Sequence, residues 1–233
     1  NCHAKKTPPW AADAIRQWTG KAPGGYQNFA AALRAGSQAA PGARGALLAL
    51  IDDRTQPALV RASAIQRLGG LLTPAITDIV ARELNDPDSL VRLAAVEALA
   101  GTEPRVRHRY LPRMLADPVR MVRIEAARAL AGEPEALFSD NERTSFAKAL
   151  AEYLAAQTYN ADRPEGRTSL GNLYAQRGDP GGAIAEYRQA LALDPTFVPA
   201  CANLADLYRS RGADGEAVAV LREGLVRNPR AAT

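Results

Sequence analysis

The stretch LVRLAAVEALAG, residues 90–101, has a counterpart 31 residues upstream in LVRASAIQRLGG (59–70) and another 31 residues downstream in MVRIEAARALAG (121–132). The three align without a gap. Val60, Val91 and Val122 share one column, Ala64, Ala95 and Ala126 a second, and Leu68, Leu99 and Leu130 a third. Valine, alanine and leucine at i, i+4 and i+8 lie along one side of a helix, so this spacing predicts three helices with one buried face each. Each stretch closes on glycine (Gly70, Gly101, Gly132), which predicts a left-handed cap that turns the chain.

Ahead of each stands a second apolar segment: GALLALIDD, ITDIVARELNDPD and YLPRMLADP, each read as a helix ending in Asp and usually Pro. A helical hairpin every 31 residues cannot bury its own apolar face, and stacking the hairpins does so. The pattern, an acidic turn followed by a Val-Arg step, resembles HEAT-like repeats of the short bacterial kind. Arg61, Arg92 and Arg123 recur with the unit, beside Asp53, Asp86 and Asp117. They are expected to bond the acidic turns and to serve the stack, not a ligand.

From Pro164 the period becomes 34. LGNLYAQRGDPGGAIAEYRQALALDP from Leu170 matches LADLYRSRGADGEAVAVLREGLVRNP from Leu204, with Tyr174/Tyr208, Gly178/Gly212, Ala183/Ala217 and Pro195/Pro229 in register. Small residues where two helices cross, an aromatic plug and a closing proline resemble the tetratricopeptide pattern. The departure is at the usual first Trp position, held here by Arg167 and Cys201. Stepping back another 34 aligns Ala149, Leu150, Tyr153 and Ala156 with Ala183, Ile184, Tyr187 and Ala190, so SFAKALAEYLAAQ reads as the second helix of a partial repeat. No long linker separates the two arrays, which predicts one continuous superhelix.

The expected architecture is therefore all-α: a right-handed superhelix of helical hairpins, an α-solenoid. Residues 1–40 carry capping helices, 41–137 the HEAT-like repeats, and 138–233 the tetratricopeptide repeats. The last region divides into a partial unit, 138–163, and full units 164–197 and 198–231. TPPWAADAIRQWTG and YQNFAAALRAG are both expected to close the open end of the HEAT-like stack. The last repeat is expected to leave an uncapped face, covered by further chain or by another molecule.

Composition narrows the function. Apolar residues are 47% but aromatics only 6%, so the core is built from Ala, Leu and Val. A net charge of +4 is too small to mark a nucleic-acid binder by itself. The arginine-rich RVRHRYLPRMLADPVRMVR (105–123) has one aromatic, Tyr110, and reads as a solvated helix face that could at most steer a partner. No apolar run is long enough for a membrane span, no signal peptide opens the chain, and two cysteines exclude a disulfide-stapled scaffold. Phosphate-binding glycine loops, His-Glu-x-x-His and serine nucleophile elbows are absent, so no catalytic residue is assigned. An enzyme of the HEAT-like DNA glycosylase or bilin lyase type is the weakest reading.

Two binding sites are expected. The first is the concave face of the tetratricopeptide hairpins, lined by Thr168, Asn172, Gln176, Asn203, Asp206, Arg209 and Ser210. Asn172 and Asn203 stand 31 apart, as do two residues of the carboxylate clamp that grips peptide C-termini. The clamp's Lys position is Thr168, so a general protein or peptide groove is expected instead. The second is Asn1-Cys2-His3, which has the form of the last three residues of a Cys-x-x-Cys-His haem motif, its first Cys two positions before Asn1. NCHAKKTPPWAADAIRQW, followed by HEAT-like and then tetratricopeptide repeats, resembles the C-terminal part of multihaem c-type cytochrome proteins. In that family a Cys-x-Asn-Cys-His-like motif precedes a Lys-bearing stretch and a Trp-containing helix. The resemblance implies a periplasmic or exported parent, further haems upstream and electron transfer. It makes Cys2 the second haem-attaching thiol and His3 an axial ligand of the haem iron in that parent, with its cytochrome module as a partner. The alternative is a stand-alone scaffold without haem. Cys201 reads as a small thiol at a helix crossing.

Overall fold

Helices account for all regular structure among the described residues. The computed structural model describes residues 5–20 and 28–229. The helices are α1 (Pro8–Thr19), α2 (Phe29–Ser37), α3 (Ala43–Asp52), α4 (Ala58–Leu68), α5 (Pro74–Arg82), α6 (Ser89–Ala100) and α7 (Pro104–Tyr110). They continue with α8 (Arg120–Leu130), α9 (Asp140–Tyr159), α10 (Pro164–Gln176), α11 (Pro180–Leu193), α12 (Val198–Ser210) and α13 (Asp214–Arg227). Short 3₁₀ turns follow α4, α5 and α7 and precede α9.

From α2 onward the helices alternate between two layers. In the even layer α2 packs on α4, α4 on α6, α6 on α8 and α10 on α12, while odd helices fill the spaces behind them. The sequence columns explain the tightness. Val91, Val122, Ala64, Ala95, Ala126, Leu68, Leu99 and Leu130 are fully buried and Val60 nearly so. Together with Leu47, Ile51, Ile65, Val80, Leu111 and Met114 they form one apolar core through the HEAT-like half. Beta-branched and alanine side chains lose little freedom in such a ridge, and the repetition lets every joint bury the same surface.

Each joint also carries an arginine. Arg92 forks onto Asp117, with Nε at 2.7 Å and Nη2 at 3.0 Å, while its Nη1 donates to the carbonyls of Asp86 and Pro87. Arg123 repeats the arrangement on Glu152 and on the carbonyls of Asp117 and Pro118. Arg61 bonds both oxygens of Asp86, where Arg54 joins it and also forks onto Glu83 at 2.8 Å. The expected partner is thus displaced by one unit. Each arginine meets its own turn only through backbone carbonyls or not at all, because the side chain leans across the joint: the carboxylate comes from the next turn for Arg61 and Arg92, and from within α9 for Arg123. Asp53, the expected partner of Arg61, instead accepts from Thr55 and Gln56 in its own turn.

Other expectations need correction. Gly101 has φ −79°, and neither Gly70 nor Gly132 is left-handed. Left-handed glycines stand elsewhere: Gly20 after α1, Gly42 before α3, and Gly178 and Gly212, at +74° and +73°, in the turns after α10 and α12. Gly132 faces the Gln176 carbonyl, which a Cβ would meet at 3.4 Å, an ordinary van der Waals contact. YLPRMLADP is not an α-helix. Pro112 cannot donate to the ladder, so α7 ends at Tyr110 and residues 112–116 wind as a 3₁₀ helix. Of the two capping helices only α2 closes the stack, with Arg67 of α4 donating to the Leu33 carbonyl and Ser37 hydroxyl. Although Thr7 caps α1, that helix has no buried residue and Trp18 is 81% exposed.

The two repeat types meet on a shared helix. By the 31-residue ruler α8 is the second helix of the third HEAT-like hairpin. By its contacts it is also the first helix of a tetratricopeptide-like hairpin with α9. The pair Arg123–Glu152 joins α8 to α9 as Arg167–Glu186 joins α10 to α11, and Glu152 and Glu186 are 34 apart. Tyr153 and Leu173 pack on Ala131 just beyond α8, carrying the core across the junction.

Two tests follow. Leu99→Ala should cost about 2–5 kcal/mol in urea unfolding by opening a cavity in the central joint, whereas Leu90→Ala, at a half-exposed column, should stay within about 0.5 kcal/mol. Equal costs would contradict the repeat register. The second test concerns Asp86. Burial alone would raise its carboxyl, but the hydrogen bond from Arg61, the Asp88 amide and the charges of Arg61 and Arg54 outweigh that and hold it below the usual value. A depressed folded pKa contributes stability above the unfolded value of about 3.9 that is lost as pH falls through the folded one. Asp86→Asn should therefore cost about 3 kcal/mol at neutral pH and flatten the loss of stability below about pH 4. An unchanged acid-unfolding profile would remove Asp86 from the account.

Candidate functional site

The even layer ends in α10 and α12, and their outward side is the expected groove. Its geometry starts from glycine. Gly171 in α10 has no side chain because the Tyr187 ring of α11 occupies that space: a Cβ would meet Tyr187 Cε1 at 2.5 Å. The close crossing buries the ring and brings its hydroxyl to the edge of the layer. There Tyr187 donates to Asn172 Oδ1 at 2.7 Å. Burial pushes the Tyr187 hydroxyl up to about 12, so it keeps its proton and remains a donor at neutral pH.

Asn203 of α12 donates through Nδ2 to the same Asn172 oxygen at 2.8 Å. With that oxygen holding two donors, Asn172 Nδ2 and Asn203 Oδ1 are left over. Neither atom is enclosed or bonded among the described residues. The result is a shelf that offers one amide donor and one carbonyl acceptor from adjacent helices, the complement of a peptide backbone unit.

The remaining expected residues divide. Gln176, Asp206, Arg209 and Ser210 are exposed. Arg209 pairs with Asp206 at 2.9 Å, and Ser210 donates to the Leu207 carbonyl. Gln176 borders a cleft of about 350 Å³ with Glu97, Arg107, Arg128 and Gly132, where the two repeat types meet. Thr168 is a correction: it is only 6% exposed, and its hydroxyl donates to the Pro164 carbonyl one turn earlier, so it cannot line a groove. Cys2 and His3 lie outside the described residues.

Sequence reasoning missed Tyr187 as the orienting group. Its register with Tyr153 was visible, but a hydroxyl that reaches Asn172 depends on the Gly171 crossing. The arginine-rich stretch is mostly consumed by the fold. Arg107 pairs with Glu133, Arg113 donates to the Ala81 carbonyl, and Arg120 and Arg123 reach Glu152. Arg105 and Arg109 border an open groove of about 620 Å³ that also holds Tyr110, whose hydroxyl donates to Asp78, so the charges there offset. Among the described residues no group of three His, Cys, Asp or Glu could hold a metal ion, and no helix is long and apolar enough to cross a membrane.

Comparison with known families agrees with this geometry. A model of HEAT repeats matches residues 44–131, and a model of the tetratricopeptide repeat matches residues 174–232. No curated protein matches the chain. The chain is an all-α solenoid similar to HEAT repeats in its first part and to tetratricopeptide repeats in its last.

Proposed function

We propose that the chain is a non-catalytic protein-interaction scaffold whose tetratricopeptide half holds an extended peptide of a partner along α10 and α12. The observation that carries this reading is the Asn172–Asn203 shelf, with Tyr187 fixing its orientation. An extended strand has unpaired N–H and C=O groups, and a donor and acceptor held on rigid helices bond one peptide unit with little ordering cost. Asp206, Arg209 and Gln176 then border the side chains of that peptide. Solenoid families similar to this chain are built for such extended contact.

A second reading concerns the parent protein and rests on Asn1-Cys2-His3 followed by Lys5, Lys6 and a helix with Trp10 and Trp18. Under it, Cys2 and His3 complete a haem c site in an exported multihaem cytochrome, and the solenoid is the arm that docks partners beside its electron-transfer module. Maturation of the chain together with its preceding residues in a host that attaches c-type haem decides between the two. Covalent haem supports the cytochrome arm, and an unmodified product leaves the scaffold alone.

Peptides selected from a random displayed library against the chain test the shelf. Asn172→Ala and Asn203→Ala should each weaken a selected peptide about tenfold in calorimetry, with Thr168→Val without effect. Tyr187→Phe should lower stability by about 1 kcal/mol and weaken the peptide too, because Asn172 loses its orienting donor. Selected peptides indifferent to both asparagines would place the binding surface elsewhere.

A further inference from the structure

A pocket on another side of α12 has a different chemistry from the shelf. Cys201 precedes Asn203 by two residues, about 200° around the helix. It stands where the tetratricopeptide pattern carries a tryptophan, three residues before the Leu and seven before the Tyr of each unit, here Leu204 and Tyr208. In the preceding unit Arg167 fills the equivalent place, with Nε bonded to the Ala161 carbonyl at 2.9 Å and Nη1 to Glu186 at 3.1 Å. The thiol of Cys201 is far shorter. It reaches the Val220 carbonyl at 3.5 Å and lies against Gly224, where a Cβ would come within 2.6 Å of Sγ. Beyond the thiol a cavity of about 420 Å³ remains between α11, α12 and α13.

Leu191, Pro195, Leu204 and Val220 line this cavity, and Arg188 and Arg227 stand at its rim with Glu223. Arg188 spends one bond, Nη2 to the Tyr208 hydroxyl at 2.8 Å, which pins the guanidinium with its other donors unused. Arg227 holds Glu223 at 2.9 Å, and both side chains are exposed, so that pair is weak and can exchange partners. Two guanidiniums therefore face a single carboxylate at the mouth of an apolar slot.

We propose that this cavity is an anchor pocket for an aromatic side chain of a partner protein, with a carboxylate next to it in the partner. The ring takes the volume that the repeat pattern assigns to an indole, and the carboxylate bonds Arg188. Apolar walls with arginine at the rim suit both ring burial and a cation–π contact. This surface is separate from the Asn172–Asn203 shelf, and neither depends on the other.

N-acetyl-tryptophan and its amide, which differ only in the carboxylate, probe the pocket in the intact chain. The readout is the rate of Cys201 modification by a disulfide reagent, followed by mass spectrometry of its peptide so that Cys2 does not contribute. N-acetyl-tryptophan should slow the modification saturably in the millimolar range, the amide should need about tenfold more, and Arg188→Ala should abolish that difference. Cys201→Trp should fill the cavity, raise the melting temperature and abolish binding of the free acid seen by ligand NMR. Should that variant fail to fold, the thiol readout with Arg188→Ala still decides. The proposal is overturned if neither compound protects Cys201, if acid and amide protect equally, or if the acid binds Cys201→Trp as well as the parent.

Discussion

An arginine that leans across the joint between consecutive repeats sets how one unit sits on the next. Arg92 takes the carbonyls of the turn before its own helix and the Asp117 carboxylate of the next unit's turn, and Arg123 takes the carbonyls of its own turn and the Glu152 carboxylate within α9. The apolar ridge of Val, Ala and Leu supplies most of the stabilisation, but such a ridge alone tolerates sliding. A bidentate fork bonded on both sides tolerates much less. The buried carboxylates of Asp86 and Asp117 are acceptable only because each meets a guanidinium, so fold and charge pattern are inseparable in this half.

The same device explains how two repeat types of different length run together without a linker. HEAT-like hairpins begin in the odd layer and tetratricopeptide hairpins in the even layer, yet the chain simply alternates. At α8 the arginine of the 31-residue unit finds Glu152, the counterpart 34 residues earlier of Glu186, which holds Arg167 in the 34-residue unit. The helix thus satisfies both patterns. Beyond α8 the packing passes through α9 to α10, and α10 packs on α12, the two helices that carry the Asn172–Asn203 shelf.

Much of this was legible in the chain. The columns through Val91, Ala95 and Leu99 identified the buried face, and Tyr153 with Tyr187 identified the second period. What was not legible depended on direction or distance across helices. Sequence spacing put Arg61 beside Asp53, whereas the side chain reaches forward to Asp86. It put Thr168 on the groove, whereas its hydroxyl folds back onto Pro164. The glycine column Gly70, Gly101 and Gly132 suggests left-handed caps, but none of the three is left-handed, and in the repeats that conformation falls to Gly178 and Gly212, after α10 and α12. The 3₁₀ segment at 112–116 is signalled by Pro112, which interrupts an otherwise apolar helix pattern because it has no N–H to donate. The cavity beside Cys201 required the third helix, α13, to define its wall.

The claim on which the account depends most is that α8 belongs to both arrays, and native-state hydrogen exchange tests it directly. The account predicts that core amides of α8, α9 and α10 share one opening free energy, because unfolding either array must release the shared helix. A break in protection between Leu130 and Asp140, with α9 and α10 opening while α8 stays closed, would contradict it and leave two independent stacks joined only by chain.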